Sequence, residues 1–286
     1  MKLEGNVALV TGGGRGIGRA IALALGRHGA DLVLIARTAA ELDEVGGLAR
    51  GIGRHVLTQI ADVSVRDDVD SVVDAATAEF GRIDVLVNNA GVQAPIGPLV
   101  SNDAGEWVRA IGVNLAGPFH LMQAVLPGMM SRRRGKIVNV SGGGATAPRP
   151  CFSAYAASKA ALVRLTETVA AEVEAYNIHV NAVAPGAVNT RMLDEVLAAG
   201  DAAGGELLAA RERQTDGGTP AELVADLVVF LASGASDGLT GKLVSAPHDG
   251  WRAWDAKRIA KLNKSSWCTL RRLDENTVRP LLQELE

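Results

Sequence analysis

Tyr155 and Lys159 are the two side chains whose types and spacing are best suited to acid–base chemistry. They lie four residues apart in a segment that we predict to be helical, so both side chains share one face. The pKa of a free tyrosine is about 10, and a nearby ammonium group favours the phenolate. At an effective dielectric of ~20 and a separation of ~4 Å, the attraction is about 4 kcal/mol, or roughly 3 pKa units. The pair could therefore protonate a carbonyl oxygen or deprotonate an alcohol; the alternative is an ordinary buried tyrosine.

Ser141 is the third candidate, because it directly follows a predicted strand and precedes Tyr155 by fourteen residues. Its hydroxyl could hydrogen-bond the substrate oxygen, which helps most if the bond strengthens as charge develops on that oxygen. The alternative is a loop serine in a Ser-Gly-Gly-Gly sequence. Asn114 is a further polar residue, and it lies in a predicted helix although asparagine is a mediocre helix former.

A glycine-rich turn near the N-terminus is suited to a phosphate group. The first predicted strand runs into Thr11–Gly18, and a helix follows. Backbone N–H groups at a helix N-terminus form an anion site that suits a pyrophosphate. The spacing Gly12-x-x-x-Gly16-x-Gly18 differs from the common G-x-G-x-x-G fingerprint, and the alternative is a tight strand-to-helix connection.

These residues follow short apolar segments that we predict to be the strands of one sheet. Strands are expected near Val7–Val10, Leu32–Ile35, His55–Ile60, Val85–Asn88, Lys136–Val140, His179–Val183 and Lys242–Val244. Helices are expected near Ile17–His28, Ala39–Arg50, Arg66–Phe80, Ala104–Arg132, Ala154–Tyr176 and Ala221–Leu231. The first five strands lack polar alternation, which is typical of parallel strands buried on both faces. We therefore predict an α/β fold with a doubly wound parallel sheet of the Rossmann type in three α/β/α layers, and ligands beyond the carboxyl ends of the strands.

The chain resembles the short-chain dehydrogenase/reductase family in the order and spacing of its motifs. Besides the glycine turn, these are Asp62-Val63, Asn88-Asn89-Ala90-Gly91, Asn114, Ser141, Tyr155 with Lys159, and Pro185-Gly186-Ala187-Val188-Asn189-Thr190. The resemblance extends from Leu3 to about Val244. It implies an oxidoreductase that acts on CH–OH and C=O groups with a nicotinamide cofactor.

The resemblance also implies roles for individual residues. The carbonyl of Asn114 would hold a water that links Lys159 to solvent, and Thr190 would contact the nicotinamide carboxamide. The expected catalytic residues are Asn114, Ser141, Tyr155 and Lys159. The expected cofactor-binding residues are Gly12, Arg15, Gly16, Ile17, Gly18, Arg37, Thr38, Asp62, Val63, Asn89, Ala90, Gly91, Tyr155, Lys159, Pro185, Gly186, Val188 and Thr190.

We expect NADP(H) as the preferred cofactor, with NAD(H) as the alternative. An acidic residue at the end of the second strand would bond the ribose hydroxyls and repel a 2′-phosphate. Ala36 stands where that acid would be, and Arg37 and Arg15 can both approach the phosphate. The alternative is that both arginines are solvated loop residues. Asp62 resembles the family's adenine-contacting aspartate, and its alternative is a turn residue.

The leading interpretation is a carbonyl reductase or alcohol dehydrogenase acting on a free small molecule, such as a cyclic ketone, a sugar or a polyol derivative. The alternative within the family is a 3-oxoacyl-carrier-protein reductase, because the chain resembles such members. Its acidic carrier protein needs basic residues, which Arg132–Arg134 could supply in part, whereas Tyr176 replaces a second expected basic residue. Another class is a non-catalytic NADP(H)-binding redox sensor, which the complete catalytic set argues against. A nucleotide-sugar dehydratase or epimerase usually needs a longer substrate region.

We predict one catalytic domain over residues 1–286, in which two segments depart from the strand–helix rhythm. Residues 191–218 are Ala-rich and Gly-interrupted, and we predict that they form a lid over the substrate. Residues 246–286 form a C-terminal extension that is unusual for the family and contains three of the four tryptophans. The predicted substrate-pocket residues are Gln93, Gly143, Cys151 and Trp251, with His248 as a further candidate. Trp254 and Trp267 are expected to be packing or interface anchors, and the alternative for the extension is an amphipathic helix over Ala253–Leu262 without a role in specificity.

Composition excludes several other classes. The net charge is −3 without a wide basic patch, so we expect no nucleic-acid partner. Cys151 and Cys268 make no disulfide framework, and the five histidines lack ligand spacing, so no metal is expected. The N-terminus does not resemble a signal peptide and no segment has the length of a membrane span, so we expect a cytoplasmic protein without membrane association. We also expect a homo-oligomer, either a dimer or a tetramer.

Overall fold

The computed structural model describes residues 2–272 and contains a sheet of seven parallel strands. The strands are β1 (Val7–Thr11), β2 (Asp31–Ala36), β3 (Val56–Ile60), β4 (Val85–Asn88), β5 (Gly135–Val140), β6 (Ile178–Ala184) and β7 (Leu243–Ser245). Their order across the sheet is β3-β2-β1-β4-β5-β6-β7. The chain therefore starts in the middle, builds outward to β3 and returns to build the other half. This arrangement confirms the doubly wound parallel sheet predicted from the sequence.

Helices cover both faces of the sheet because alternate residues of each strand point to opposite sides. In β1, Ala8 and Val10 pack in one core, and Val7 and Leu9 pack in another. The first core contains residues of α1 (Gly16–Arg27), α2 (Ala39–Gly51), α9 (Ala221–Ala232) and α10 (Ala256–Lys264). The second contains residues of α3 (Arg66–Phe80), α5 (Gly117–Arg132) and α6 (Ser153–Glu172), and the remaining helices are α4 (Ala104–Ile111), α7 (Arg191–Ala199) and α8 (Glu206–Asp216).

The single helix expected over Ala104–Arg132 is divided in the structure. A π-helical turn at Gly112–Ala116 separates α4 from α5. Pro118 near the start of α5 lacks the N–H that a continuous α-helix would donate to the carbonyl of Asn114. Single π-helical turns inside helices are frequent at functional sites, and this one contains Asn114.

The C-terminal extension begins after β7 and returns to the body of the protein. A 3₁₀ turn at Trp251–Ala253 leads into α10, whose Ile259 and Leu262 lie in the core. The helix begins later than predicted because the Asp255 carboxylate caps it by accepting a hydrogen bond from the Arg258 N–H at 2.7 Å. The rest of the predicted extension, residues 273–286, lies outside the described residues. Between residues 2 and 272, no helix has both the length and the apolar character needed to cross a membrane.

Candidate active site

A cavity of about 1260 Å³, here called the main cavity, opens at the carboxyl ends of the strands. Its walls include the loops after β1, β2, β4, β5 and β6. β1 and β4 are neighbours in the sheet although β2 and β3 separate them in the chain, so the winding direction reverses between them. Ligands of doubly wound sheets bind at such a reversal.

The turn between β1 and α1 forms one wall of the main cavity and brings backbone into close approach. Gly16 has a φ of +52°, and a Cβ on Gly18 would overlap the carbonyl oxygen of Gly12. The Asn89 side-chain amide donates to the carbonyl of Thr11 at 2.9 Å, which holds the loop after β4 against this turn. A glycine cradle at a helix N-terminus, in a cavity of this size, fits the pyrophosphate of a dinucleotide.

Two arginines contribute positive charge to the same cavity near β2. Arg37 directly follows Ala36, the last residue of β2, and its Nη1 lies 3.8 Å from Oδ2 of Asp62. The Arg15 Nη1 lies 3.3 Å from Oε1 of Glu41. Each guanidinium is about half exposed and engages its carboxylate through one nitrogen, so donor groups remain for a further anion.

Asp62 is held in its ionised form. Burial alone would raise its pKa, yet the pKa lies below the ordinary value. The Ser64 hydroxyl and N–H donate to Asp62 Oδ1 at 2.6 and 2.9 Å, and the charges of Arg37 and Arg109 act in the same direction. A fixed carboxylate at this edge of the cavity can accept hydrogen bonds from a ligand.

Tyr155 reaches the main cavity from the first turn of α6. Its hydroxyl lies so close to Gly142 that a Cβ at position 142 would overlap the hydroxyl oxygen. Any larger residue there would displace the ring, so Gly142 is a requirement of the site that had no signal in the sequence beyond its place in a glycine run. The ring is buried, and burial raises the pKa of the Tyr155 phenol, whereas the charge of Arg149 lowers it.

Lys159 lies one helical turn after Tyr155, and its ammonium group donates a hydrogen bond to a main-chain carbonyl. The Nζ atom donates to the carbonyl of Val140, the last residue of β5, at 2.8 Å and lies 5.7 Å from the centroid of the Tyr155 ring. The Cζ atom of Arg149 lies at a similar distance, 5.3 Å, from the same ring centroid, and its charge lowers the pKa of Tyr155. Burial lowers the pKa of Lys159 itself to about 8, so its proton can be released and regained near neutral pH.

Ser141 and Asn114 support this pair in different ways. Ser141 directly follows β5 and lines the main cavity, and its hydroxyl donates to the main-chain carbonyl of Lys159 at 3.4 Å. Asn114 is fully buried and does not line the cavity. Its amide donates to the Val92 carbonyl at 2.8 Å and to Ser158 Oγ at 3.0 Å, and its Oδ1 accepts from the Val92 N–H at 2.9 Å. The side chain thus fastens the loop after β4 to α6, and a water of the kind that the resemblance implies would bind at the main-chain carbonyl.

The segment predicted to be a lid is joined to the site by two side chains. Arg149, in the loop between β5 and α6, places Nη2 3.0 Å from Oε2 of Glu206 on α8. Gln93 is buried; its Nε2 donates to the main-chain carbonyl of Met192 and lies 3.3 Å from Oε2 of Glu195, both on α7. Gln93 was predicted from the sequence, whereas Arg149 and Glu206 were not, because their pairing depends on how α8 folds back.

The main cavity brings together most of the residues predicted from the sequence. Every residue predicted to bind the cofactor lines it, namely Gly12, Arg15, Gly16, Ile17, Gly18, Arg37, Thr38, Asp62, Val63, Asn89, Ala90, Gly91, Tyr155, Lys159, Pro185, Gly186, Val188 and Thr190. Ser141, Gln93, Gly143 and His248 line it as well. Cys151 does not, because it packs against an apolar cluster that includes Phe152 and residues of α7.

Trp254 packs against Phe230 as predicted, whereas the other two tryptophans of the extension lie in places other than those predicted. Trp251 is 5% exposed, packs against Phe230 with ring centroids 5.6 Å apart, and donates from Nε1 to the carbonyl of Ala246 at 3.1 Å. The prediction that it forms a pocket wall is wrong, because the turn after β7 directs it into the core against α9. Trp267 and Cys268 line the main cavity instead.

The fold and the site together define a dinucleotide-dependent oxidoreductase. The family model for short chain dehydrogenases matches residues 6–200. The chain belongs to this family and is an oxidoreductase that acts on CH–OH and C=O groups with a nicotinamide cofactor.

Individual relatives and solved structures agree with this assignment. The chain is 38% identical over 244 residues to a 3-oxoacyl-acyl-carrier-protein reductase of Thermotoga maritima, covering 85% of this chain and 97% of that protein. A crystal structure of NAD⁺-bound xylitol dehydrogenase matches with a TM-score of 0.79 at 30% identity, covering 86% of this chain and 98% of that one. A gluconate 5-dehydrogenase from Burkholderia cenocepacia, in complex with NADP and tartrate, matches with a TM-score of 0.76 at 33% identity, covering 85% and 94%. The two solved structures therefore contain different forms of the nicotinamide cofactor, NAD⁺ in the xylitol dehydrogenase and NADP in the gluconate 5-dehydrogenase.

Proposed function

We propose that this chain interconverts a carbonyl and a secondary alcohol of a free small molecule with NADP(H), and that Tyr155 moves the proton. The observation that carries the proposal is the position of the Tyr155 hydroxyl at the wall of the main cavity. The hydroxyl closely approaches Gly142, the residue after Ser141. When bound, the nicotinamide supplies a hydride to the carbonyl carbon or accepts one from the alcohol carbon.

The residues of the chain handle the proton and the developing charge. In reduction, Tyr155 donates its hydroxyl proton to the carbonyl oxygen; in oxidation, its phenolate takes the proton from the alcohol. The Ser141 hydroxyl donates a hydrogen bond to the same oxygen and stabilises it as charge develops. Lys159, whose pKa is about 8, returns a proton to Tyr155 and would regain one from solvent through a water that, as the family resemblance implies, binds at the carbonyl of Asn114.

The preference for NADP(H) is supported by the side chains at the end of β2. No acid stands at Ala36 to repel a 2′-phosphate, and the guanidinium groups of Arg37 and Arg15 line that part of the cavity. Glu41 and Asp62 each contact one of these arginines and orient it.

The deciding experiment compares kcat/KM for NADPH and NADH in the parent chain and in Arg37→Asp. We expect NADPH to be favoured by the parent, and the ratio to move toward NADH by about 10- to 100-fold in the variant, because a charged hydrogen bond contributes about 1.5–3 kcal/mol. Arg19→Asp is the matched control, since Arg19 is an arginine of α1 that does not line the cavity. Equal kcat/KM values for the two cofactors in the parent would reject the preference.

A free substrate is favoured over a carrier-bound one, which is the second candidate. Arg132–Arg134 do not surround the cavity: Arg132 donates to the carbonyl of Ile83 at 2.7 Å, and Arg134 donates to Oδ1 of Asn6 at 3.2 Å. Ile83 and Asn6 precede β4 and β1, so these arginines lie at the amino ends of the strands, opposite the main cavity. A basic landing surface for an acidic carrier would need them at the other end.

We also propose that residues 1–286 form one catalytic domain in which 191–218 closes over the substrate. The ion pair of Arg149 with Glu206 and the bonds of Gln93 to α7 support this role, because they join the segment to the site loops. Gly200, Gly204 and Gly217 have positive φ and lie between or after the lid helices, where a change of backbone angle can be absorbed. Amide hydrogen exchange with and without NADPH and a ketone tests the proposal, and we expect slower exchange in 191–218 when both are present.

Assembly into a homo-oligomer, a dimer or tetramer, is supported by an apolar groove on α4–α6. Ile111, Leu115, Phe119 and Leu165 line it, and Phe119 is 44% exposed. Exposed apolar surface of this kind marks protein contacts, and we propose a second copy of this chain as the occupant. Phe119→Asp should reduce the mass measured by light scattering, whereas Leu208→Asp, at an exposed apolar side chain of α8, should leave it unchanged.

A further inference from the structure

The end of the described chain is fastened to the edge of the sheet. After α10, the chain turns back, and the carbonyl of Cys268 accepts a hydrogen bond from the N–H of Leu243 in β7 at 2.7 Å. The Lys242 ammonium donates to the carbonyl of Ser265 at 2.6 Å. The segment 265–270, here called the return segment, therefore covers the outer side of β7.

A nearly buried carboxylate provides a second anchor for the return segment. The Glu167 side chain on α6 is only 9% exposed, and its Oε1 accepts from the N–H of Leu270 at 2.7 Å. Arg164 forms an ion pair with Glu167 and also donates to the carbonyl of Leu270 at 2.6 Å. The Arg271 guanidinium lies 3.5 Å from the same carboxylate. A carboxylate bonded on several sides holds a segment in one place more firmly than an exposed ion pair does.

These anchors place the return segment beside the reacting groups. Leu270 packs against a small apolar cluster that contains Ala145, which lies four residues after Ser141. Trp267 and Cys268 line the main cavity together with Gly143 and Thr146 of the same loop. β5, β6 and β7 form the half of the sheet that is remote from Arg37 at the end of β2, so the return segment lies on the substrate side of the cavity.

The surface that the return segment presents is apolar. Trp267 is 38% exposed, unlike Trp251 in the core, and its indole forms part of the cavity wall. Burial raises the pKa of the Cys268 thiol to about 11, so this neighbour is uncharged at neutral pH. From α7, the apolar residues Met192, Leu193 and Val196 line the same cavity, together with the charged residues Arg191 and Glu195. An indole combined with such apolar side chains favours a flat or bulky apolar body, because apolar area and ring stacking are what these groups recognise.

We propose that the return segment is a wall of the substrate pocket and that Trp267 selects carbonyl compounds that carry an apolar ring. The inference rests on the proposed function, since it names the substrate class of the same site. Trp267 is a specificity residue that contacts the substrate body, and the proton transfer stays with Tyr155.

The test uses the full chain with Trp267→Ala and Trp267→Phe, and two ketones, acetophenone and butanone. For Trp267→Ala we expect kcat/KM with acetophenone to fall about tenfold or more, mainly through KM, because the ring contact is lost. Butanone should change less than threefold, and Trp267→Phe should retain most of the parent value. Glu167→Gln should reproduce the loss with acetophenone, since it loosens the anchor without touching the cavity. Trp254→Phe is the matched control, because Trp254 packs edge-on against Phe230 at 6.5 Å and does not line the cavity.

Several results would overturn the inference. Equal losses with both ketones, or a loss accompanied by a smaller oligomer mass, would assign Trp267 to folding or to a subunit contact, and no loss with either ketone would show that Trp267 does not contact the substrate. If the parent reduces neither ketone, that result bears on the proposed function alone, and calorimetric binding of acetophenone then decides the inference by itself. Weaker binding by Trp267→Ala would support the wall, and unchanged binding would reject it.

Discussion

Two lysines lie at opposite ends of β5, and the fold surrounds the partly buried Lys136 and the buried Lys159 differently. Lys136 lies near the start of the strand with a side chain that is 12% exposed, and its Nζ is 2.7 Å from Oδ1 of Asp237. Lys159 bonds the carbonyl of Val140 at the strand's other end and is buried. Among residues 2–272, Asp237 neutralises Lys136, whereas no carboxylate lies within ion-pair distance of Lys159.

We interpret Lys136 as a charge that stabilises the fold and Lys159 as a charge that serves proton transfer. Burial lowers the pKa of both ammonium groups, but the hydrogen bond and charge of Asp237 oppose that shift at Lys136. Lys159 has no such counterion, and its pKa falls to about 8. A buried charge without a counterion costs stability, and such a group beside a cavity is a candidate for proton exchange.

The largest expected effect concerns Tyr155 and Lys159, near the carboxyl end of β5. Tyr155→Phe and Lys159→Ala should each lower kcat for ketone reduction by about 10²- to 10⁴-fold, because each removes a step of the proton path. The double variant should be little worse than either single one, since residues of one path are not additive. Steady-state kinetics of the three variants measures this, with Lys136→Met as the control that should retain kcat. If the two losses multiply in the double variant, Tyr155 and Lys159 act independently and do not share one proton path.

Substitutions of Lys136 and Asp237, near the amino end of β5, should change the stability of the protein but not its turnover. Asp237→Ala should lower the free energy of unfolding by about 1–2 kcal/mol, because it leaves the Lys136 ammonium buried without its partner, although Asp237 itself is 66% exposed. Urea unfolding of the variant and the parent measures the change. Lys136→Met combined with Asp237→Ala should recover most of the loss. A fall in kcat with unchanged stability would contradict the structural assignment.

Arg149 sharpens the comparison because it brings a second positive charge close to the Tyr155 ring. Its Cζ lies 5.3 Å from the centroid of the Tyr155 ring, and its charge lowers a pKa that burial raises. Removing the charge leaves the pKa higher, so the base form of Tyr155 appears at higher pH. In Arg149→Met, the rising limb of kcat/KM for alcohol oxidation should therefore move to higher pH. Arg149→Lys keeps the charge, and Glu206→Gln breaks the ion pair alone; neither should move the limb upward.

The smallest expected effect lies beside Lys136. His179 accepts a hydrogen bond from the Gly238 N–H at 3.0 Å, and burial, together with the charge of Lys136, lowers its pKa to about 4. Between pH 6.5 and 4, the unfolded chain binds a proton at His179 that the folded chain does not, so stability falls as the pH falls through this window. Thermal unfolding across this window should show a shallower loss of stability for His179→Gln. An identical pH dependence in the two proteins would show that His179 does not cause the loss of stability in this pH window.

Much of the site was predictable because its signals are local. The four-residue spacing of Tyr155 and Lys159 places both on α6, and the glycine turn after β1 is encoded in adjacent residues. Expectations failed where one side chain depends on a distant one. Trp251 was predicted to line the cavity because it soon follows β7, but the turn directs it against Phe230. The single helix expected over Ala104–Arg132 failed for a local reason instead, because Pro118 lacks the N–H that would bond the carbonyl four residues earlier.

The sequence by itself determined the strand and helix pattern, the phosphate turn and the proton-transfer pair, because hydrophobic periodicity and short spacings act over one or two helical turns. Only the tertiary structure decided that the hydroxyl of Tyr155 rests on Gly142 and that Arg149 meets Glu206. It also decided that Trp267, not Trp251, lines the cavity. These contacts join segments that are far apart in the chain, and their geometry is set by the packing of whole elements around the sheet, which no local pattern encodes.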